Sequence, residues 1–89
     1  MPLIDFTPNL SRQTQVESRR VTGTSVREAL DALFEEFPVA RGYILEDHGA
    51  VRRHVAIFVN GATVNDRESL TDPVGEESEI FVMQALSGG

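Results

Sequence analysis

The sequence predicts an α+β fold, a mixed sheet of four to five strands covered on one face by one main helix. Three observations predict it. Strand-like runs lie on both sides of a single long helical stripe at 26–37, an Asn60-Gly61 pair closes the clearest strand, and an apolar run at 80–86 returns after a long polar connection. With 89 residues, one such sheet and one helix nearly exhaust the chain, so a single domain spanning 1–89 is expected.

Residues 3–6 alternate, with Ile4 and Phe6 on one side, and Pro8-Asn9-Leu10-Ser11 carries turn chemistry. This reads as a hairpin whose second arm runs from about Thr14 to Val21, polar enough for an edge strand. Thr22-Gly23-Thr24 interrupts the pattern. Ser25 then opens the helix, with Glu28 three residues on as its capping-box partner. Val26, Ala29, Leu30, Leu33, Phe34 and Phe37 follow helical spacing, which gives one buried stripe, and Pro38 is expected to stop the helix.

Residues 39–45 read as a connector with a short extended piece at Tyr43-Ile44-Leu45, followed by a turn at Asp47-His48-Gly49. The strand at 54–59 ends on Asn60-Gly61, a pair that tolerates the positive φ of a tight hairpin, and Thr63 and Val64 begin the return arm. A polar connection at 65–79 leads to the final strand at 80–86. Strand alternation then sorts the side chains. Val55, Ile57, Val59, Ile80 and Val82 face the helix, whereas Ala56, Phe58, Phe81, Met83 and Ala85 point to a face that no predicted element covers. Hairpins make antiparallel pairs, and a terminal strand returning through the centre can lie parallel to the first. The arrangement is that of a β-grasp. Phe58, Phe81 and Met83, with Ala85, form a candidate partner-binding surface on the uncovered face.

Composition narrows the function classes. Fourteen acidic residues against eight basic give a net charge of −6, which argues against nucleic acid as a partner. No apolar run is long enough for a membrane span, and the segment beginning Met1-Pro2-Leu3 has no signal-like pattern, so a cytoplasmic location is expected. Cysteine is absent, which removes thiolate catalysis, disulfides and the usual structural zinc sites. Lysine is absent as well. All eight basic residues are arginines, so no side-chain amine is available to an activated acyl group.

Glu46, Asp47, His48 and His54 lack metal-ligand spacing, and no bound metal or cofactor is expected. The pair Arg52-Arg53 reads as sheet-edge surface, and the serines have no histidine at a recognisable motif spacing. An enzyme is therefore not expected. What remains is the α-carboxylate of Gly89, an anion near neutrality that is a poor electrophile until a partner activates it. ATP and Mg²⁺ in such a partner would convert it to an acyl-adenylate. A tail of Leu86, Ser87, Gly88 and Gly89, expected to be flexible and ending in two residues without β-carbons, suits entry into a narrow site.

The chain resembles the ubiquitin-like sulfur carriers of the MoaD/ThiS family, in particular the longer CysO-like branch. The resemblance rests on 23–30 entering the helix, on 47–49 and Val51-Arg52-Arg53, on 55–61 with its Asn60-Gly61 ending, and on Gly88-Gly89, in that order across nearly the full length. It implies a β-grasp fold and adenylation of Gly89 by an E1-like adenylyltransferase of the MoeB/ThiF type. It further implies conversion to a thiocarboxylate and donation of sulfur to a biosynthetic enzyme, and it leaves room for a metalloprotease-type hydrolase acting on the tail. Two departures concern the partner: Gln84-Ala85-Leu86-Ser87 lacks the proline of many relatives, and the loop reads Gly75-Glu76-Glu77-Ser78-Glu79. Two other readings stay open, a protein modifier conjugated through Gly89 to target lysines and a non-catalytic β-grasp interaction module.

Overall fold

The computed structural model describes residues 1–84; the expected strand end at 85–86 and the tail at 86–89 lie outside the described residues. The sheet is built from β1 (Leu3–Phe6), β2 (Arg19–Arg20), β3 (Val55–Val59), β4 (Ala62–Thr63) and β5 (Glu79–Gln84), in the spatial order β2-β1-β5-β3-β4. The central strand β5 runs parallel to β1, with Ile4 beside Ile80 and Phe6 beside Val82, and antiparallel to β3, with Val55 beside Gln84 and Val59 beside Ile80. Among the described residues this is the mixed five-stranded β-grasp sheet that the sequence predicts.

The main helix α2 (Val26–Glu36) crosses the face carrying Ile4, Ile57, Ile80 and Val82, all fully buried. Its stripe of Val26, Ala29, Leu30, Leu33 and Phe34 is buried against them, and each large side chain so removed from water contributes about 1.5–3 kcal/mol. The Ser25 hydroxyl caps the helix by accepting from the Glu28 N–H at 3.1 Å. The return bond of the expected capping box is displaced by one residue: Glu28 Oε1 accepts from the Thr24 N–H at 2.9 Å and from the Thr24 hydroxyl at 3.0 Å. These bonds, the backbone one foremost, hold the Glu28 carboxyl below the usual range.

Two further helices stand where the sequence reading places loops. The expected turn at Pro8-Asn9-Leu10-Ser11 opens a helix, α1 (Pro8–Thr14), because Pro8 at the first position presets φ without losing a needed N–H, and Leu10 and Thr14, one turn apart, are both buried. The helix ends on Gln15 at φ 63°, and the expected long second arm shrinks to Arg19–Arg20, paired antiparallel with β1. The expected connector at 39–45 is likewise a helix, α3 (Pro38–Ile44), with Ala40 and Ile44 as its buried pair. Pro38 therefore ends α2 and starts α3. Of the expected extended piece only Leu45 survives, in a single bridge to Val51. β3 begins at Val55 rather than His54, and Val64 lies just beyond β4, its N–H still donating to the Ile57 carbonyl at 3.0 Å.

The long connection before β5 is held by side chains. Asp72 accepts from the N–H groups of Asn65 and Asp66 at 2.9 Å each, while Asp66 accepts from the N–H groups of Glu68, Ser69 and Thr71 and from the Thr71 hydroxyl at 2.6 Å. Leu70, at φ 56°, is fully buried in the core from the middle of this loop. Among the described residues no helix is long and apolar enough to cross a membrane.

Candidate functional site

The uncovered sheet face is built by register. β3 and β5 pair Ala56 with Met83 and Phe58 with Phe81, so side chains that alternate away from α2 meet across the strands. Phe58, Phe81 and Met83 are half-buried rather than fully exposed. Together with Asn60, Gly61 and Glu79 they line an open groove of about 380 Å³. Its walls are mostly apolar and its rim carries one carboxylate, Glu79. Of the expected surface residues, Ala85 lies outside the described residues, as do Leu86, Ser87, Gly88 and Gly89.

The tip of the β3–β4 hairpin closes one end of the groove. Asn60 at φ 50° and Gly61 at φ 89° form the tight turn that the dipeptide predicts. Asn60 also fastens the turn to the start of β5: its N–H donates to the Glu79 carbonyl at 2.8 Å, and its Oδ1 accepts from the Glu79 N–H at 2.9 Å. Sequence reasoning recognises Asn60 as a turn residue only. Its second partner comes from a strand 19 positions away, a pairing that no local signal carries.

At the other end, β5 reaches Gln84, the last described residue. The even-numbered side chains Ile80, Val82 and Gln84 share the helix-covered face, and Gln84 ends the apolar row with an amide. Asn9, near the start of α1, donates from Nδ2 to Gln84 Oε1 at 3.1 Å. Thr7, between β1 and α1, donates its N–H to the Val82 carbonyl at 3.1 Å, while its hydroxyl is enclosed without a partner among the described residues.

The acid and histidine group does not assemble a metal site: among the described residues no three of His, Asp and Glu stand together in a way that could hold an ion. Glu46 instead pairs with Arg52 at 3.2 Å, and Arg52 Nε donates to the Gly42 carbonyl at 2.7 Å, which ties α3 to the segment before β3. His48, Arg53 and His54 are exposed. Arg27 spans two loops, donating to the Ser69 carbonyl at 3.1 Å and to the Gly49 carbonyl at 2.8 Å.

The ThiS family model matches residues 7–89, from the start of α1 through both glycines of the tail. The chain belongs to the ThiS family. No curated protein is a significant match to it by sequence. Among solved structures, this ThiS-family chain is similar to SAMP1 from Haloferax volcanii, with a TM-score of 0.82 and 22% identity over 99% of this chain and 98% of that one. It is also similar to a chain of the Amycolatopsis orientalis BexX/CysO complex, with a TM-score of 0.83 and 18% identity over 100% of both chains. Mycobacterium tuberculosis CysO gives a TM-score of 0.81 at 16% identity over 97% of this chain and 100% of that one. At these identities the likeness establishes the β-grasp fold. The family resemblance read from the sequence is borne out by the family match.

Proposed function

We propose that this ThiS-family chain is a sulfur carrier whose Gly89 carboxylate is adenylated by an E1-like enzyme of the MoeB/ThiF type and then converted to a thiocarboxylate. The observation that carries this reading is the span of the family match, which runs through Gly88 and Gly89. The chain itself acts as carrier and co-substrate, not as catalyst. ATP and Mg²⁺ belong to the activating partner: attack of a Gly89 carboxylate oxygen on the α-phosphorus releases pyrophosphate, and a sulfur nucleophile then displaces AMP from the acyl carbon. Phe58, Phe81 and Met83, with Ala85, form the surface by which the carrier docks, and an apolar groove of this kind supports that role. A biosynthetic enzyme accepts the sulfur, and a metalloprotease-type hydrolase fits a pathway in which product is cut from the tail.

Intact mass spectrometry after incubation with the activating enzyme, ATP and sulfide tests the reading. The expected product has one oxygen exchanged for sulfur, and a residue appended after Gly89 abolishes the exchange. An exchange that persists in the extended chain removes Gly89 as the reacting residue. A second reading, a protein modifier, is favoured by the likeness to SAMP1, the small archaeal modifier protein 1 of Haloferax volcanii. A diglycine remnant on lysines of other proteins would select it. Because this chain has no lysine, such conjugates would carry single copies rather than lysine-linked chains.

A further inference from the structure

The tail can deliver Gly89 into a partner's site only if its root points the right way, and the root is the end of β5. On one side of that end, β3 closes the ladder with Val55 beside Gln84. On the other side β1 has already stopped. Its last pair is Phe6 with Val82, and the Thr7 N–H makes the last backbone bond to that edge. Among the described residues, the edge of β5 that faces β1 has no strand beside it beyond Val82. What meets it there is α1, and Asn9 Nδ2 donates to Gln84 Oε1 at 3.1 Å across 75 positions of sequence.

We propose that Asn9 is a positioning residue, whose amide clasps Gln84 and sets the direction in which the chain continues past Gln84. This rests on the acyl-donor reading of Gly89. Asn9 stands on a firm base: Leu10, next to it, is fully buried, and Pro8 fixes the start of the helix. Gln84 thus lies beside Val55 of β3 on one side and is held by a side-chain amide toward α1 on the other. Without that amide bond the strand end can pivot about the pairing of β5 with β3.

The consequence scales with the length of the tail. Residues 85–89 reach at most about 17 Å beyond Gln84, so a small rotation at the root becomes a displacement of several ångström at the carboxylate. Reacting atoms have to approach to about 3–3.5 Å. The clasp therefore acts on the reacting step, while the sheet face acts on docking. Its loss lowers kcat for adenylation by about fivefold, the worth of one ordinary hydrogen bond, with KM for the carrier unchanged.

The test uses the full chain in four variants, Asn9→Leu, Gln84→Leu, the two together, and Asn9→Asp. Aspartate cannot donate to Gln84 Oε1, but a turned Gln84 amide can donate to it, so the clasp re-forms with reversed polarity. Two readouts apply. In the free chain, the ¹⁵N–¹H heteronuclear NOE at residues 85 and 86 falls in both leucine variants and returns in Asn9→Asp. With the activating enzyme, ATP–pyrophosphate exchange loses kcat in either leucine variant, the double variant is no worse than either single one, and Asn9→Asp restores the rate. Unchanged NOEs in the leucine variants overturn the clasp, as does a loss confined to KM. If the wild-type chain itself supports no exchange, the acyl-donor reading fails, and the NOE comparison still decides the clasp.

Discussion

Thr7 occupies the N-cap position of α1 and its backbone is extended, at φ −61° and ψ 149°, yet its side chain makes no capping bond. A hydroxyl enclosed without a partner costs about 1–3 kcal/mol relative to one left in water. Thr7→Val keeps the shape and removes the orphan, so its urea midpoint is expected to rise by the equivalent of about 1 kcal/mol with an unchanged denaturant slope. A fall in the midpoint would show that the hydroxyl is satisfied. Asp66 presents the opposite case. The Thr71 hydroxyl first, and the Ser69, Thr71 and Glu68 N–H groups with it, pull its pKa from an ordinary 3.8 to about 2. A carboxylate depressed on folding stabilises fully above its unfolded value and loses that contribution as pH falls through its folded value. The urea midpoint of the wild-type chain should therefore drop as pH is lowered from about 3.8 to about 2. Asp66→Asn, whose amide cannot accept every one of these bonds, should start lower at neutral pH and lose less across that window.

At the scale of elements, the approach of the 22–25 segment to α2 depends on Gly23. A β-carbon there would lie 2.7 Å from the Ala29 nitrogen, against helix backbone that cannot yield, and the residue sits at φ 150°. Gly23→Ala is expected to destabilise the fold by at least about 1–3 kcal/mol, measured by denaturant unfolding, and to loosen the Ser25 cap as it does so. A near-neutral result would mean that the segment shifts freely and that the cap geometry is not fixed by it. The same scale shows where sequence reading succeeds and where it fails. α2 was legible because eleven residues carry a full stripe and a cap. α1 and α3 are seven residues each, about two turns, and each buries only two side chains, so the periodic signal is too short to separate from a turn. In both, proline reads as a breaker in sequence and acts as a helix start in the structure.

At the scale of the whole molecule, one sheet serves two environments. Its inner face, with Ile4, Ile57, Ile80 and Val82, is closed by α2, and its outer face carries the Phe58, Phe81 and Met83 groove. A substitution on the outer face should thus separate docking from folding. Phe81→Ala is expected to lower the thermal midpoint by only a few degrees, about what a loss near 1 kcal/mol causes in a domain this size, while raising the apparent KM for the activating enzyme about tenfold or more. An unchanged KM would remove the groove as the docking surface. The split between KM effects at the groove and kcat effects at Asn9 gives the outer face of β5 and its last described residue, Gln84, different tasks.

The α+β class, the main helix and its cap, the Asn60-Gly61 hairpin, the two faces of β3 and β5, and the family resemblance ending on Gly88-Gly89 are all readable from the residues alone. Each is written locally, in periodicity of 3.6 or 2, in a turn dipeptide or in a short motif. It takes the folded chain to show that the residues after Pro8 and Pro38 are helical, that Leu70 fills the core from a loop, that Asn60 binds Glu79 and that Asn9 meets Gln84. These depend on contacts between residues far apart in the chain, and a long-range contact leaves no mark on the sequence around either partner.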